Sequence, residues 1–131
     1  MSIDRRTFVG GAAFVAAAPA IGTQPDSQEM YGLIGKITAH PGHRDELIRI
    51  LVVGVSQMPG CLSYIVARDP ADPNLIWITE AWESKAAHSA SLALPAVRAA
   101  IRTARPLIAD MSSVAETTPV DGHGLTPPRA G

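Results

Sequence analysis

The sequence predicts an α+β domain whose elements run β-α-β-β-α-β. Three observations predict it. Four short runs, at 31–38, 61–68, 75–82 and 110–118, read as strands bounded by turn residues. Between the first two lies a stretch with apolar residues at helical spacing, and a capping serine opens another helix after the third. The second and third strands carry apolar side chains on both faces, which sets how the sheet must be covered.

Residues 1–22 read as an export signal and lie outside that pattern. Arg5 and Arg6 precede a mild apolar run from Phe8 to Ala18, softened by Gly10 and Gly11. Ala18-Pro19-Ala20 supplies small residues at a cleavage site. The stretch Asp4-Arg5-Arg6-Thr7-Phe8-Val9 resembles a twin-arginine signal, so the expected destination is periplasmic or secreted. The run is too short for a stable membrane anchor. Residues 23–29 are polar, contain Pro25 and read as a linker.

Tyr31 to Thr38 form the first strand, ended by Pro41-Gly42. From His43 to Met58, Leu47, Leu51 and Val55 recur at steps of four with Ile48 beside them, which predicts a helix over 43–58. Asp45 and Glu46 lie near its start, where the helix dipole favours negative charge. Pro59-Gly60 ends it. Cys61 to Arg68 and Leu75 to Trp82 form a hairpin across the turn-rich loop Asp69 to Asn74. Ser84 caps a second helix, which Pro95 divides into pieces at 85–91 and 95–104. Asp110 to Thr118 is a weaker last strand. Within a domain spanning 30–118, this order is a split pair of βαβ units, the ferredoxin-like arrangement with both helices on one face of an antiparallel sheet. Residues 119–131 hold Gly and Pro with little apolar mass and read as a flexible tail.

Two helices can cover one sheet face only. On the second strand Leu62, Tyr64 and Val66 point one way, and Ser63, Ile65 and Ala67 the other. On the third, Ile76 and Ile78 oppose Leu75, Trp77 and Ala81. A bare apolar sheet face is rare on a soluble monomer. The expectation is a homodimer, sheet against sheet.

Composition excludes several classes. The 131 residues carry a net charge of −1, without the clustered Lys and Arg of a nucleic-acid partner, and are too apolar for a disordered chain. The single cysteine, Cys61, forms no internal disulfide and reads as a small core residue. His40 and His43 flank Pro41-Gly42, but no third ligand accompanies them, so no metal is expected. Phosphate, flavin and nicotinamide fingerprints do not occur.

The informative stretch is Ile78-Thr-Glu-Ala-Trp-Glu-Ser-Lys-Ala-Ala-His88. On a strand, Glu80 and Trp82 share a face with Ile76 and Ile78. His88 falls about one turn into the helix after Ser84, where the dipole disfavours an imidazolium. A neutral imidazole beside an apolar wall accepts a proton, and an indole offers a flat face to a planar ring. The junction therefore suits an aromatic ligand beside a base. Packing alone would also explain Trp82, Glu80 and Tyr64.

These residues carry a family resemblance. Pro59-Gly60-Cys61-Leu62-x-Tyr64 enters the hairpin, Asp69-Pro70-x-Asp72-Pro73 fills its loop, and Glu80-x-Trp82-x-Ser84-x-x-Ala87-His88 follows, with Ser91 three residues on. Together they resemble the antibiotic biosynthesis monooxygenase family over about residues 30–118. The resemblance implies a dimeric α/β barrel and oxygen insertion into a small electron-rich aromatic, a quinol or anthrone, with O₂ and without metal or flavin cofactor. It implies that Trp82 and His88 are catalytic, Trp82 lining the cavity and His88 assisting proton transfer, and that Tyr64 and Glu80 contact substrate. Leu92 and Ala93 depart from the Ser-Pro-His of many relatives. The haem-degrading branch resembles the same fold, but Ile101 stands where its iron ligand would be and cannot ligate iron. The competing expectation is a non-catalytic dimer of this fold that binds a small aromatic or acts in stress response.

Overall fold

A computed structural model describes residues 29–125. The elements are β1 (Tyr31–Ala39), α1 (Arg44–Gly54), β2 (Cys61–Arg68), β3 (Leu75–Trp82), α2 (Lys85–Ser91), α3 (Pro95–Ala104), a 3₁₀ turn (Arg105–Leu107) and β4 (Ile108–Thr117). The four strands form one antiparallel sheet in the order β2-β3-β1-β4. This is the ferredoxin-like α+β fold that the element order predicts. The export signal expected at 1–22 lies outside the described residues.

Two X-Pro-Gly-X turns set the ends of α1. His43 N–H donates to His40 O at 3.0 Å, and Cys61 N–H to Met58 O at 3.1 Å. Gly42 and Gly60 have φ of 86° and 84°, the left-handed region that the third position of such a turn requires. Between them α1 is shorter than its periodicity predicts. It stops at Gly54, and the Ser56 hydroxyl donates to Val53 O at 3.1 Å beyond the last turn. Pro59 also biases Met58 away from the helical region. Val55 and Met58 keep their inward positions without being helical.

The second helical segment follows its punctuation. Ser84 Oγ accepts from the Ala87 N–H at 3.0 Å, and Pro95 occupies the first turn of α3. The last strand starts two residues before the expected Asp110, because Ile108 pairs with Ala39. Its register against β1 shifts twice, between Ile34 and Gly35 and between Thr38 and Ala39.

One sheet face carries Ile37, Ala39, Ile76 and Ile78, which pack with Leu47 of α1 and Ala104 of α3 into the core. Burying each large aliphatic side chain contributes about 1.5–3 kcal/mol. Helices α1 and α3 approach closely where Gly54 meets Ala100; a Cβ at Gly54 would overlap the Ala100 methyl. The opposite sheet face has no helix. There Ile65 is 55 % exposed, beside half-buried Ile34, Leu75 and Trp77. The Lys36 ammonium lies 5.5 Å from the Trp77 ring centre. The Trp77 indole N–H donates to Asp69 Oδ1 at 2.8 Å. With the Asp72 and Ala71 N–H groups it holds that carboxyl below its ordinary range.

Candidate functional site

Between the sheet and the helices lies a cavity of about 500 Å³. Its wall is mostly apolar, with Leu51, Val55 and Met58 at one side and Val97, Ala100 and Ile101 of α3 at another. Gly35 contributes floor without a side chain; a Cβ there would meet only the Ser112 carbonyl, at 3.3 Å. Tyr64, Glu80, Trp82 and His88 all line this one cavity.

Strand register brings three of the four together. Tyr64 pairs with Glu80 across β2 and β3, and Trp82 follows Glu80 on the same face. The Trp82 Nε1–H donates to Glu80 Oε1 at 2.8 Å. His88 arrives from α2, with Nε2 3.8 Å from the same Glu80 oxygen, in ion-pair range but too long for a hydrogen bond. The side chains of His88 and Glu80 are 19 % and 11 % exposed. The imidazole meets the indole edge-on, ring centres 5.3 Å apart.

Trp82 is only 1 % exposed. The expected open aromatic face is therefore mostly covered, by the imidazole on one side and protein packing elsewhere, and the indole forms part of the cavity wall. The imidazole, on the seven-residue helix α2, also faces the Glu80 carboxylate, a neighbour that the sequence does not pair with it.

Burial pushes the Glu80 carboxyl above its ordinary range, against the Trp82 N–H and the His88 ring, which both pull it down. Burial also pushes the Tyr64 phenol well up, and Glu80 adds to the effect. Tyr64 thus stays a neutral phenol, with no hydrogen-bond partner for its hydroxyl among the described residues. Cys61 is half-buried, its thiol raised by burial, and Sγ lies 3.6 Å from Ser63 O. That fits a packed thiol and not a thiolate nucleophile.

Sequence reading missed Tyr31, Ser91's packing role and Arg105. Tyr31 pairs with Trp82 across β1 and β3, and its ring lies 5.3 Å from that of His88. Its hydroxyl donates to Glu116 Oε2 at 2.6 Å. Ser91, 3 % exposed, donates from Oγ to His88 O at 2.6 Å and pins the last turn of α2. Arg105, on the 3₁₀ turn, lines the cavity wall near Ile108. His43 Nδ1 pairs instead with Glu46 at 3.3 Å, and no trio of metal-ligating side chains forms among the described residues. Nor is any described helix long and apolar enough to cross a membrane.

The sequence model of the family described as "Antibiotic biosynthesis monooxygenase" matches residues 30–103. A solved structure from Chloroflexus aurantiacus J-10-fl, named for the same family, is 62 % identical. The alignment covers 73 % of this chain and 98 % of that one, with a TM-score of 0.71. The PA3566 protein of Pseudomonas aeruginosa is 26 % identical over 72 % of this chain and 98 % of its own, at a TM-score of 0.63. A Caulobacter crescentus CB15 protein, also named for the family, shares the fold at 19 % identity and a TM-score of 0.66, covering 72 % and 93 % of the two chains. No curated protein matches the chain.

Proposed function

The chain belongs to the antibiotic biosynthesis monooxygenase family, and on that premise we propose that it oxygenates a small electron-rich aromatic, of quinol or anthrone type, with O₂ and no cofactor. The observation that supports this reading is the convergence of Tyr64, Glu80, Trp82 and His88 on one mostly apolar cavity.

In this proposal His88 takes a proton from a substrate hydroxyl or activated CH₂. The imidazolium that results faces the Glu80 carboxylate at 3.8 Å, which stabilises it. Glu80 in turn is held by the Trp82 N–H, which fixes the carboxylate that faces the base. The deprotonated ring is electron-rich enough to reduce O₂ itself. For an anthrone the balance is CH₂ + O₂ → C=O + H₂O: one oxygen atom enters the substrate, the other leaves as water, and the substrate supplies all four electrons. The neutral Tyr64 phenol can donate a hydrogen bond to the oxyanion or to reduced oxygen. The dry wall keeps the anion and O₂ together and bulk water out.

The half-exposed apolar sheet face supports a homodimer packed back to back, and the Arg5-Arg6 start supports export through the twin-arginine route to the cell envelope. The test of activity is O₂ consumption across a panel of quinols and anthrones. Turnover is expected in the wild type and a fall of roughly 10²-fold in His88→Ala, the usual weight of a general base. No turnover, with a quinol that raises the melting temperature unchanged, would instead identify a binding module.

A further inference from the structure

Next to the cavity, outside the group just described, lies a cleft of about 320 Å³ lined by Arg98, Ile101, Arg102 and Arg105. Two of these four residues, Ile101 and Arg105, also line the apolar cavity. The two hollows are therefore neighbours across one isoleucine and one arginine. We propose that the substrate is an aromatic acid, its ring in the cavity and its carboxylate in this arginine cleft. The inference rests on the reading of the cavity as a substrate site.

The stripe follows from sequence spacing. Arg98 and Arg102 are four apart on α3, and Arg105 is three further, on the 3₁₀ turn that continues it. Residues so spaced share one helix face. The cavity-facing stripe of Val97, Ala100, Ile101 and Ala104 runs alongside it, so Ile101 is the border between apolar and basic surface.

Among the described residues no carboxylate pairs with the stripe. Helix α3, PAVRAAIRTA, contains no acidic residue. Among the described residues, the acids that form ion pairs do so elsewhere: Asp45 with Arg68, Glu46 with His43, Glu80 with His88 and Glu116 with Lys85. None of the three arginines has a carboxylate within ion-pair distance among those residues. Like charges four apart on a helix weaken it, and a bound anion removes that cost. The guanidinium fork matches a carboxylate in two parallel hydrogen bonds. The interior of the cavity does the reverse: buried Glu80 repels a carboxylate, so an acidic ring enters with its charge toward the arginines. The arrangement thus selects an orientation as well as a ligand.

The test uses redox-inert probes, 2-naphthoate and its uncharged counterpart 2-naphthamide, titrated calorimetrically into the full chain. At low salt the acid is expected to bind roughly tenfold tighter than the amide, the scale of one charge-assisted bidentate contact, and the advantage to shrink as salt rises. In Arg98→Gln/Arg102→Gln, which keeps the shared wall residue, the two affinities are expected to draw together through loss of the acid's affinity alone. Arg98→Gln/Arg102→Gln/Arg105→Gln is expected to abolish the remaining preference. Equal binding of the two probes to the wild type, binding of neither, or a preference that survives the triple variant would overturn the proposal. Unchanged naphthamide affinity of the double variant, and a wild-type far-UV circular dichroism spectrum and melting curve for the triple one, serve as the check that the variants are folded. Because binding is read without turnover, an inactive protein that still prefers naphthoate refutes the oxygenase reading and keeps the aromatic-acid site. An active one without the preference does the opposite.

Discussion

The Trp82 indole N–H donates to Glu80 Oε1 at 2.8 Å, two residues back along the same face of β3. This bond supplies the only hydrogen-bond donor to the Glu80 side chain among the described residues, and it ties the cavity wall to the carboxylate that faces His88. Trp82→Phe removes the donor and keeps an aromatic body. The variant is expected to lose about 1–3 kcal/mol of stability from the stranded acceptor, to push the Glu80 carboxyl higher still, and to weaken its hold on His88. Urea melts and carboxyl-detected NMR titration read the two effects. A Glu80 titration identical to the wild type would show that the bond does not tune the group.

Glu80 also fixes a pH dependence. Its folded-state carboxyl is raised by burial above the value it has in the unfolded chain. The folded state therefore binds the proton more readily over the interval between the two values. Stability from this group is complete below the unfolded value of about 4.3, and is lost as pH rises through the raised folded one. Glu80→Gln, which keeps an oxygen for the Trp82 N–H, is expected to flatten that fall. Stability curves measured by denaturant between pH 4 and 8 check it; parallel curves for the two proteins would contradict the shift.

Helix contact without side chains makes Gly54 sensitive. A methyl at Gly54 would overlap that of Ala100, and neither helix backbone can yield locally. Gly54→Ala is expected to destabilise by about 1–3 kcal/mol, the usual cost of overpacking, despite the better helix propensity of alanine. Gly54→Ala combined with Ala100→Gly is expected to recover part of the loss. Thermal denaturation of the single and double variants decides it.

Gly35 offers a milder case, a cavity-floor glycine whose one close neighbour is a backbone carbonyl. A Cβ there meets only the Ser112 carbonyl, at 3.3 Å, and longer side chains extend into the cavity. Gly35→Val is expected to leave stability within about 1 kcal/mol, since filling offsets crowding, and to weaken 2-naphthamide binding roughly tenfold or more. Retained affinity would mean that the aromatic probe sits elsewhere.

The back face gives a test of assembly. Ile65 projects from the helix-free side of the sheet, 55 % exposed. If two copies pack there, Ile65→Glu places two like charges near a dry interface and is expected to yield monomers at micromolar concentration. Light scattering coupled to gel filtration checks both proteins. A wild type that already elutes as a monomer would remove the dimer from the proposal.

The elements most legible in the sequence are those with a chemical mark at each end. The ends of β2 and β3 are set by Pro59-Gly60, Asp69 and Ser84, and α2 and α3 by Ser84 and Pro95; all four match their expected bounds. Periodicity overextends helix α1 because Val55 continues its spacing, whereas the helix ends at Gly54, with the Ser56 hydroxyl bonded back to Val53 O beyond it. Of the cavity group, Glu80, Trp82 and His88 are close in sequence, and their meeting needs only a strand followed by a capped helix. Tyr31 is absent from such a reading because its place beside His88 depends on the register of β1 against β3, a contact between distant segments. Arg105 escapes because the expected helix ends at Ala104, and the 3₁₀ turn that carries its face one residue further has no mark of its own in the sequence.

Strand β4 ends the sheet, and its outer backbone groups meet no further strand among the described residues. A straight ten-residue border of this kind invites neighbouring molecules to stack on it without limit. The two register slips along β4 interrupt its repeat, so an incoming strand would find matching donors and acceptors over only a few residues at a time. The irregular pairing with β1 thereby guards the chain against runaway fibre growth at high concentration.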